Sequence, residues 1–373
     1  MPITEYHRLA RTPQLRWWKS VLGTLFIVAG GLALAIGLIV VAAIVAVLAG
    51  RPLDADGLPT LGPLPDLALT FLAVAALLPP TFAAARWIQG RPAGTLSSVT
   101  GRLRWPWMMA CFGVAVVAVG ILLGASAFLP AESSSADGGE SLVGWPTFLV
   151  SALVAVHVVP VQAAAEEYVI RGWLMQAIGA YFKRPWLPIA VQALVFAALH
   201  GWGTPWGFAD LVVFGVVAGW LTVWTGGLEA AIALHVANNL LGTVLLAAFG
   251  DLSTDETAAD MPWQLVAVDV PVLIAYGMIV VFLKRRLLAG RGNDRNGALV
   301  GGPEARMHPA VAAVDAKADQ TAEAGVDLAQ TVSQDAQQPA VEPNRALSPD
   351  GVDALRSKTV PGVENVGAVG DGL

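Results

Sequence analysis

The chain has one cysteine, Cys111, in 373 residues. A single thiol excludes an internal disulfide, a CxxC redox pair and a thiolate zinc site. Charge is also scarce, with Asp, Glu, Lys and Arg together at 13%. No Lys/Arg-rich tract forms a nucleic-acid patch, so no nucleic-acid partner is expected. What fills the chain instead is apolar. It is 55% hydrophobic with a mean hydropathy of +0.63, too apolar for a soluble domain of this size. The thirteen Trp fit a polytopic membrane protein, since indoles favour the membrane–water interface.

Eight apolar segments approach the roughly 20 residues needed to cross a bilayer. They run at about Val21–Leu48, Leu67–Ala85, Trp107–Leu129, Pro146–Phe182, Trp186–His200, Phe208–Thr225, Leu228–Phe249 and Trp263–Leu283. The first is too long for a signal-peptide core and reads as an uncleaved span. The fourth is too long for one simple crossing; the fifth is short. Lys and Arg accumulate on the cytoplasmic side of membrane proteins. Here they cluster before span one, between two and three, between four and five, and after eight, whereas the alternate loops hold one, Arg51. Those loops carry acids instead: Asp54, Glu132, Glu140, Asp251 and Glu256. An all-α bundle of about eight spans with both termini cytoplasmic satisfies the pattern. From about Gly290 the chain turns to Ala, Gly, Asp, Gln and Pro with almost no aromatics. Such a segment cannot offset its ordering entropy and is expected to be a disordered tail.

Within the spans, Ala163–Trp173 reads AAAEEYVIRGW. A charge at membrane depth costs at least a few kcal/mol. Glu167 and Arg171 are four apart, share a helix face and can form an ion pair. Glu166 points roughly 140° away from Arg171 and lacks that partner. This splits the acids: Glu167 is structural, and Glu166 is a carboxylate in a low-polarity cavity, the setting of a general base. The alternative is that both acids pair with Arg171 and only lock packing. Two further pairs lie four apart, Phe196 with His200 and His235 with Asn239. His157, also within a span, reads as a packed, hydrogen-bonded residue. Glu166 lies about as far before the turn at Lys183–Pro185 as His200 lies after it, so an antiparallel hairpin places them side by side. His235 sits only roughly 10–15 Å into span seven. The depths agree if the hairpin of spans four and five protrudes or bends.

These residues carry a resemblance. EEYVIR, FAALH and HVANN are similar to the EExxxR, FxxxH and HxxxN motifs of the CAAX-protease and bacteriocin-processing (Abi) family of intramembrane endopeptidases. The resemblance covers about residues 146–250. It implies that Glu166 and His200 hold an attacking water, that His235 and Asn239 stabilise the oxyanion, and that Glu167 and Arg171 support. Asn238 is a near competitor of Asn239, which is preferred on motif spacing. A metal-free reaction is favoured because no HExxH occurs. If zinc binds, its ligands are Glu166, His200 and His235.

The chain then divides into a cytoplasmic N-terminus (1–20), N-terminal membrane helices (21–145), a core like that family's (146–250), the last membrane helix (251–289) and the tail (290–373). The expected partners are the lipid bilayer and a membrane-associated protein or peptide substrate, and the expected location is a bacterial plasma membrane. Two other functions fit intramembrane charge: a proton-coupled transporter or channel, and a non-catalytic scaffold. The remaining acids near span ends, Asp210, Glu229 and Asp269, read as interfacial, which weakens the transporter reading.

Overall fold

A computed structural model describes residues 5–52, 60–128, 142–250, 252 and 257–300, with side chains as far as 287. The acids expected in the outer loops, Asp54, Glu132, Glu140, Asp251 and Glu256, and tail residues 301–373 lie outside the described residues. The described elements are helical: α1 (Trp17–Leu48), α2 (Pro63–Ile88), α3 (Trp105–Ser126), α4 (Trp145–Gly179), α5 (Trp186–Leu199), α6 (Pro205–Thr225), α7 (Glu229–Phe249) and α8 (Trp263–Val300). Proline in the first turn starts α2, α3, α4 and α6, where its missing N–H costs nothing.

Seven of the eight are long and apolar enough to cross a membrane; α8 qualifies over Trp263–Leu287. The chain is an integral membrane protein. The exception is α5, whose 14 residues reach only about 21 Å against a hydrocarbon core of about 30 Å. The opposite loop meets it part-way. Thr257 Oγ1 donates to the His200 carbonyl at 3.1 Å. Thr204 N donates to the Ala259 carbonyl at 2.8 Å. Gly203 and Gly207 seat the Ala259 backbone so closely that a Cβ on either would lie 2.1–2.2 Å from the Ala259 oxygen.

The helix ends gather as the charge pattern requires. At the basic end, the Tyr6 hydroxyl donates to the Leu96 carbonyl, Leu228 N donates to Ser97 O at 2.9 Å, and Lys284 Nζ donates to Trp224 O at 3.0 Å. At the other end, Val143 N donates to Ala248 O at 3.0 Å. Arg91 is buried at the basic end, where it donates to Gln89, Thr95 and Gln176. Burial lowers its pKa to about 10.

Glu229 is the first residue of α7 and Asp210 the sixth of α6, so both lie near helix ends, and both are buried. Glu229 is fully buried and accepts from Arg104 Nε at 2.8 Å and Nη2 at 2.7 Å. Asp210 on α6 and Asp269 on α8 are both buried and lie near each other. A lipid-facing position would have left the Glu229 carboxylate without donors.

Helix α7 runs through the centre of the bundle, with every residue from Glu229 to Ala237 buried. It packs against α3 and α4, while α5 packs against α6. From Glu166 to Gly179, α4 continues for roughly 20 Å, whereas His235 lies only about 9 Å from the start of α7. The α4–α5 hairpin therefore extends beyond α7 at the basic end. Tyr6–Arg8 packs under it, with the His7 carbonyl against Gly179. The His7 imidazole is buried there, and that burial lowers its pKa.

Candidate active site

The candidate residues converge from three helices. Glu166, Glu167 and Arg171 come from α4, His200 from the C-terminal end of α5, and His235 and Asn239 from α7. Their local setting is a widened, π-helical stretch over Tyr168–Leu174, a feature that recurs at functional sites. Pro160 lies one and a half turns before Glu166 in the same helix.

The two acids part as their spacing predicts. Glu167 and Arg171 are both 0% exposed, and Arg171 Nη1 donates to Glu167 Oε1 at 2.8 Å. The same oxygen lies 2.8 Å from His235 Nδ1, a long-range contact that helical spacing could not disclose. The Arg171 guanidinium lies over the Phe196 ring, 4.2 Å from its centroid, and 5.7 Å from that of Phe214. Two aromatic faces thus compensate a cation removed from water.

Glu166 turns the other way and is 17% exposed. Its Oε2 lies 4.0 Å from His200 Nε2 and 3.8 Å from His235 Nε2. The contact with His200 is the one the hairpin geometry anticipates. His200 Nδ1 lies 2.9 Å from the Phe196 carbonyl and must donate to it. His235 Nδ1 must likewise donate to the Glu167 carboxylate. Both imidazoles are thereby aimed with Nε2 toward Glu166, a tautomer assignment that follows from the partners.

Sequence reasoning missed two residues. Gln162, one turn before Glu166, donates through Nε2 to Glu166 Oε1 and accepts from Asn239 Nδ2 at 3.2 Å. Its signal was present in the spacing of Gln162 and Glu166, but a neutral amide beside two acids does not stand out. Phe214, on α6, closes the aromatic wall, its ring centroid 5.5 Å from that of His235; nothing in its surroundings distinguished it. His157 is not packed. It is exposed on α4, with Nδ1 2.7 Å from the Leu153 carbonyl of its own helix.

The fit to zinc is poor. Ligands at about 2.0–2.1 Å in a tetrahedron stand about 3.3 Å apart, and both nitrogen–oxygen separations here are wider. Among the described residues, no group of three or more His, Cys, Asp or Glu is arranged to hold a metal ion.

Comparison with known proteins bears on the same segment. Residues 145–241 match the model of the Rce1-like family, described as type II CAAX prenyl endopeptidase Rce1-like. This segment resembles a Rce1-like domain. It contains every candidate residue. The chain is also 29% identical over 187 residues to uncharacterized protein YyaK of Bacillus subtilis (strain 168). That alignment covers 48% of this chain and 60% of the relative. No solved structure matches the chain. The matched segment spans α4 to the middle of α7, so α1–α3 and α8 lie outside it.

Proposed function

We propose that the chain is an intramembrane endopeptidase that hydrolyses a peptide bond of a membrane-associated protein or peptide without a covalent intermediate. One observation carries the reading. Glu166 Oε2 faces His200 Nε2 and His235 Nε2 at 4.0 and 3.8 Å. One water hydrogen-bonded at about 2.8 Å to each neighbour fits between such groups.

In this mechanism Glu166 takes a proton from the water while His200 Nε2 accepts its other O–H. The water oxygen attacks the carbonyl carbon, and the proton passes from Glu166 to the leaving amine. Asn239 donates to the developing oxyanion. His235, carrying its second proton, donates from Nε2, with Glu167 as counterion to the imidazolium. Glu167 thus supports two cations, Arg171 and His235. The basic end faces the cytoplasm, with both termini on that side. The domain limits given by the motifs and tail composition are part of the same proposal.

The choice between neighbouring amides is testable. Asn239 reaches the site through Gln162, although Asn238 and Asn239 are equally half-buried. Asn239→Ala is expected to lower turnover about 10²- to 10³-fold, as for loss of one oxyanion donor. Asn238→Ala is expected to leave it near wild type. Equal losses in single-turnover assays would reject the assignment.

The function itself is tested by comparing membrane proteomes of the wild-type strain and a Glu166→Gln strain. A membrane protein or peptide that accumulates uncut only in the variant identifies the substrate; identical proteomes count against proteolysis. Purified protein is expected to keep its activity after exhaustive chelation. Complete loss restored by zinc would assign the metal-dependent chemistry instead.

A further inference from the structure

We infer that Gln162 is a positioning residue that sets the general base and the oxyanion donor relative to each other. The inference rests on the proposed hydrolase reading and adds a residue outside its three motifs. Gln162 is 5% exposed on α4. Its side chain hydrogen-bonds two candidate groups on different helices: Nε2 donates to Glu166 Oε1, and Oε1 accepts from Asn239 Nδ2 at 3.2 Å.

Each bond uses one atom of a two-atom group and leaves the other free. Occupying Glu166 Oε1 leaves Oε2 for the water, on the side where both imidazole nitrogens lie. Occupying one N–H of Asn239 fixes which edge of that amide is the nitrogen and leaves its second N–H for the oxyanion. A primary amide suits the position because it donates and accepts at once. A carboxylate would repel Glu166, and a hydrocarbon would satisfy neither neighbour. Fixed donors and acceptors matter because small displacements of reacting groups are costly in rate.

A purely structural role for Gln162, joining α4 to α7, would affect stability and leave turnover alone. The test uses the full chain in lipid nanodiscs as wild type, Gln162→Met, Glu166→Gln and Asn239→Ala. Met is nearly isosteric with Gln and cannot replace either bond. The first readout is infrared. The carboxylate stretch of Glu166 is the band missing from Glu166→Gln, and it is expected to change frequency in Gln162→Met. An unmoved band would overturn the inference, whether or not the chain cleaves anything.

The second readout is cleavage of an internally quenched peptide with a prenylated cysteine near its C-terminus, chosen for the family's described activity. Gln162→Met is expected to lower kcat about 10- to 100-fold, as for a lost hydrogen bond to a charged group. KM should stay within about twofold, since the bonds touch no bound substrate. The loss should be sub-additive with Asn239→Ala, because one variant undoes what the other acts through. Wild-type kcat in Gln162→Met, or a change in KM alone, would overturn it. Full turnover by Glu166→Gln, or no cleavage by wild type, would sink the hydrolase reading and with it the catalytic half of the inference. The infrared band would still report the bond.

Discussion

Glu166→Gln is expected to reduce cleavage about 10²- to 10⁴-fold, the range supplied by a positioned base, and to leave the melting temperature in detergent almost unchanged. The reasons are local. Gln keeps the shape of the side chain and can still accept from Gln162 through its amide oxygen. Glu166 is partly exposed, and its distances to the two imidazoles, 3.8 and 4.0 Å, exceed those of direct hydrogen bonds. Little folding energy therefore depends on its charge, whereas the reaction depends on its basicity. Wild-type turnover in this variant, on a substrate that wild type cleaves, would show that another group activates the water.

Glu167→Ala is expected to behave in the opposite sense, losing stability first. Its carboxylate joins Arg171 and His235 at 2.8 Å each, with both Glu167 and Arg171 fully buried. Removing it strands a guanidinium between two aromatic rings and releases the Nδ1–H of His235. Breaking one side of a buried pair typically costs about 3–5 kcal/mol. A large fall in melting temperature and reduced yield of folded protein should follow. Any folded fraction should also turn over slowly, because His235 is no longer aimed. Arg171→Met combined with Glu167→Gln should recover much of the stability, since it removes the stranded charge and retains an acceptor for His235. A melting temperature for Glu167→Ala equal to wild type would mean that the cation is compensated elsewhere.

The contrast between these adjacent acids was legible in the sequence because it is a matter of helical phase. Glu167 and Arg171 share a face, and Glu166 does not. The meeting of Glu166 with His200 was legible too, because equal distances from a tight turn place residues side by side in a hairpin. The eight helices followed from hydropathy, although only seven of them are long and apolar enough to cross a membrane, and the gathering of helix ends agrees with the distribution of Lys and Arg. Contacts between segments distant in the chain were hidden. Nothing local tells that Glu167 also holds His235, that Phe214 completes a wall around Arg171, or that Arg104 reaches Glu229. The shortness of α5 was visible, but the loop that comes to meet it was not. That contact depends on Gly203 and Gly207 admitting a backbone, and glycines are common throughout the chain.

The widened stretch at Tyr168–Leu174 also ties the site to its anchor. Ahead of it stand the two acids. Beyond it, Gln176 is gripped by Arg91 Nη1 at 2.8 Å and by the Thr95 carbonyl at 2.9 Å, and Gly179 is pressed by His7. A helix that accommodates one surplus residue without moving its ends swells in this way. Excising a single residue from the swelling would return it to an ordinary α-helical turn with both ends in place, so the acids would keep their aim on the imidazoles and Gln176 its grip.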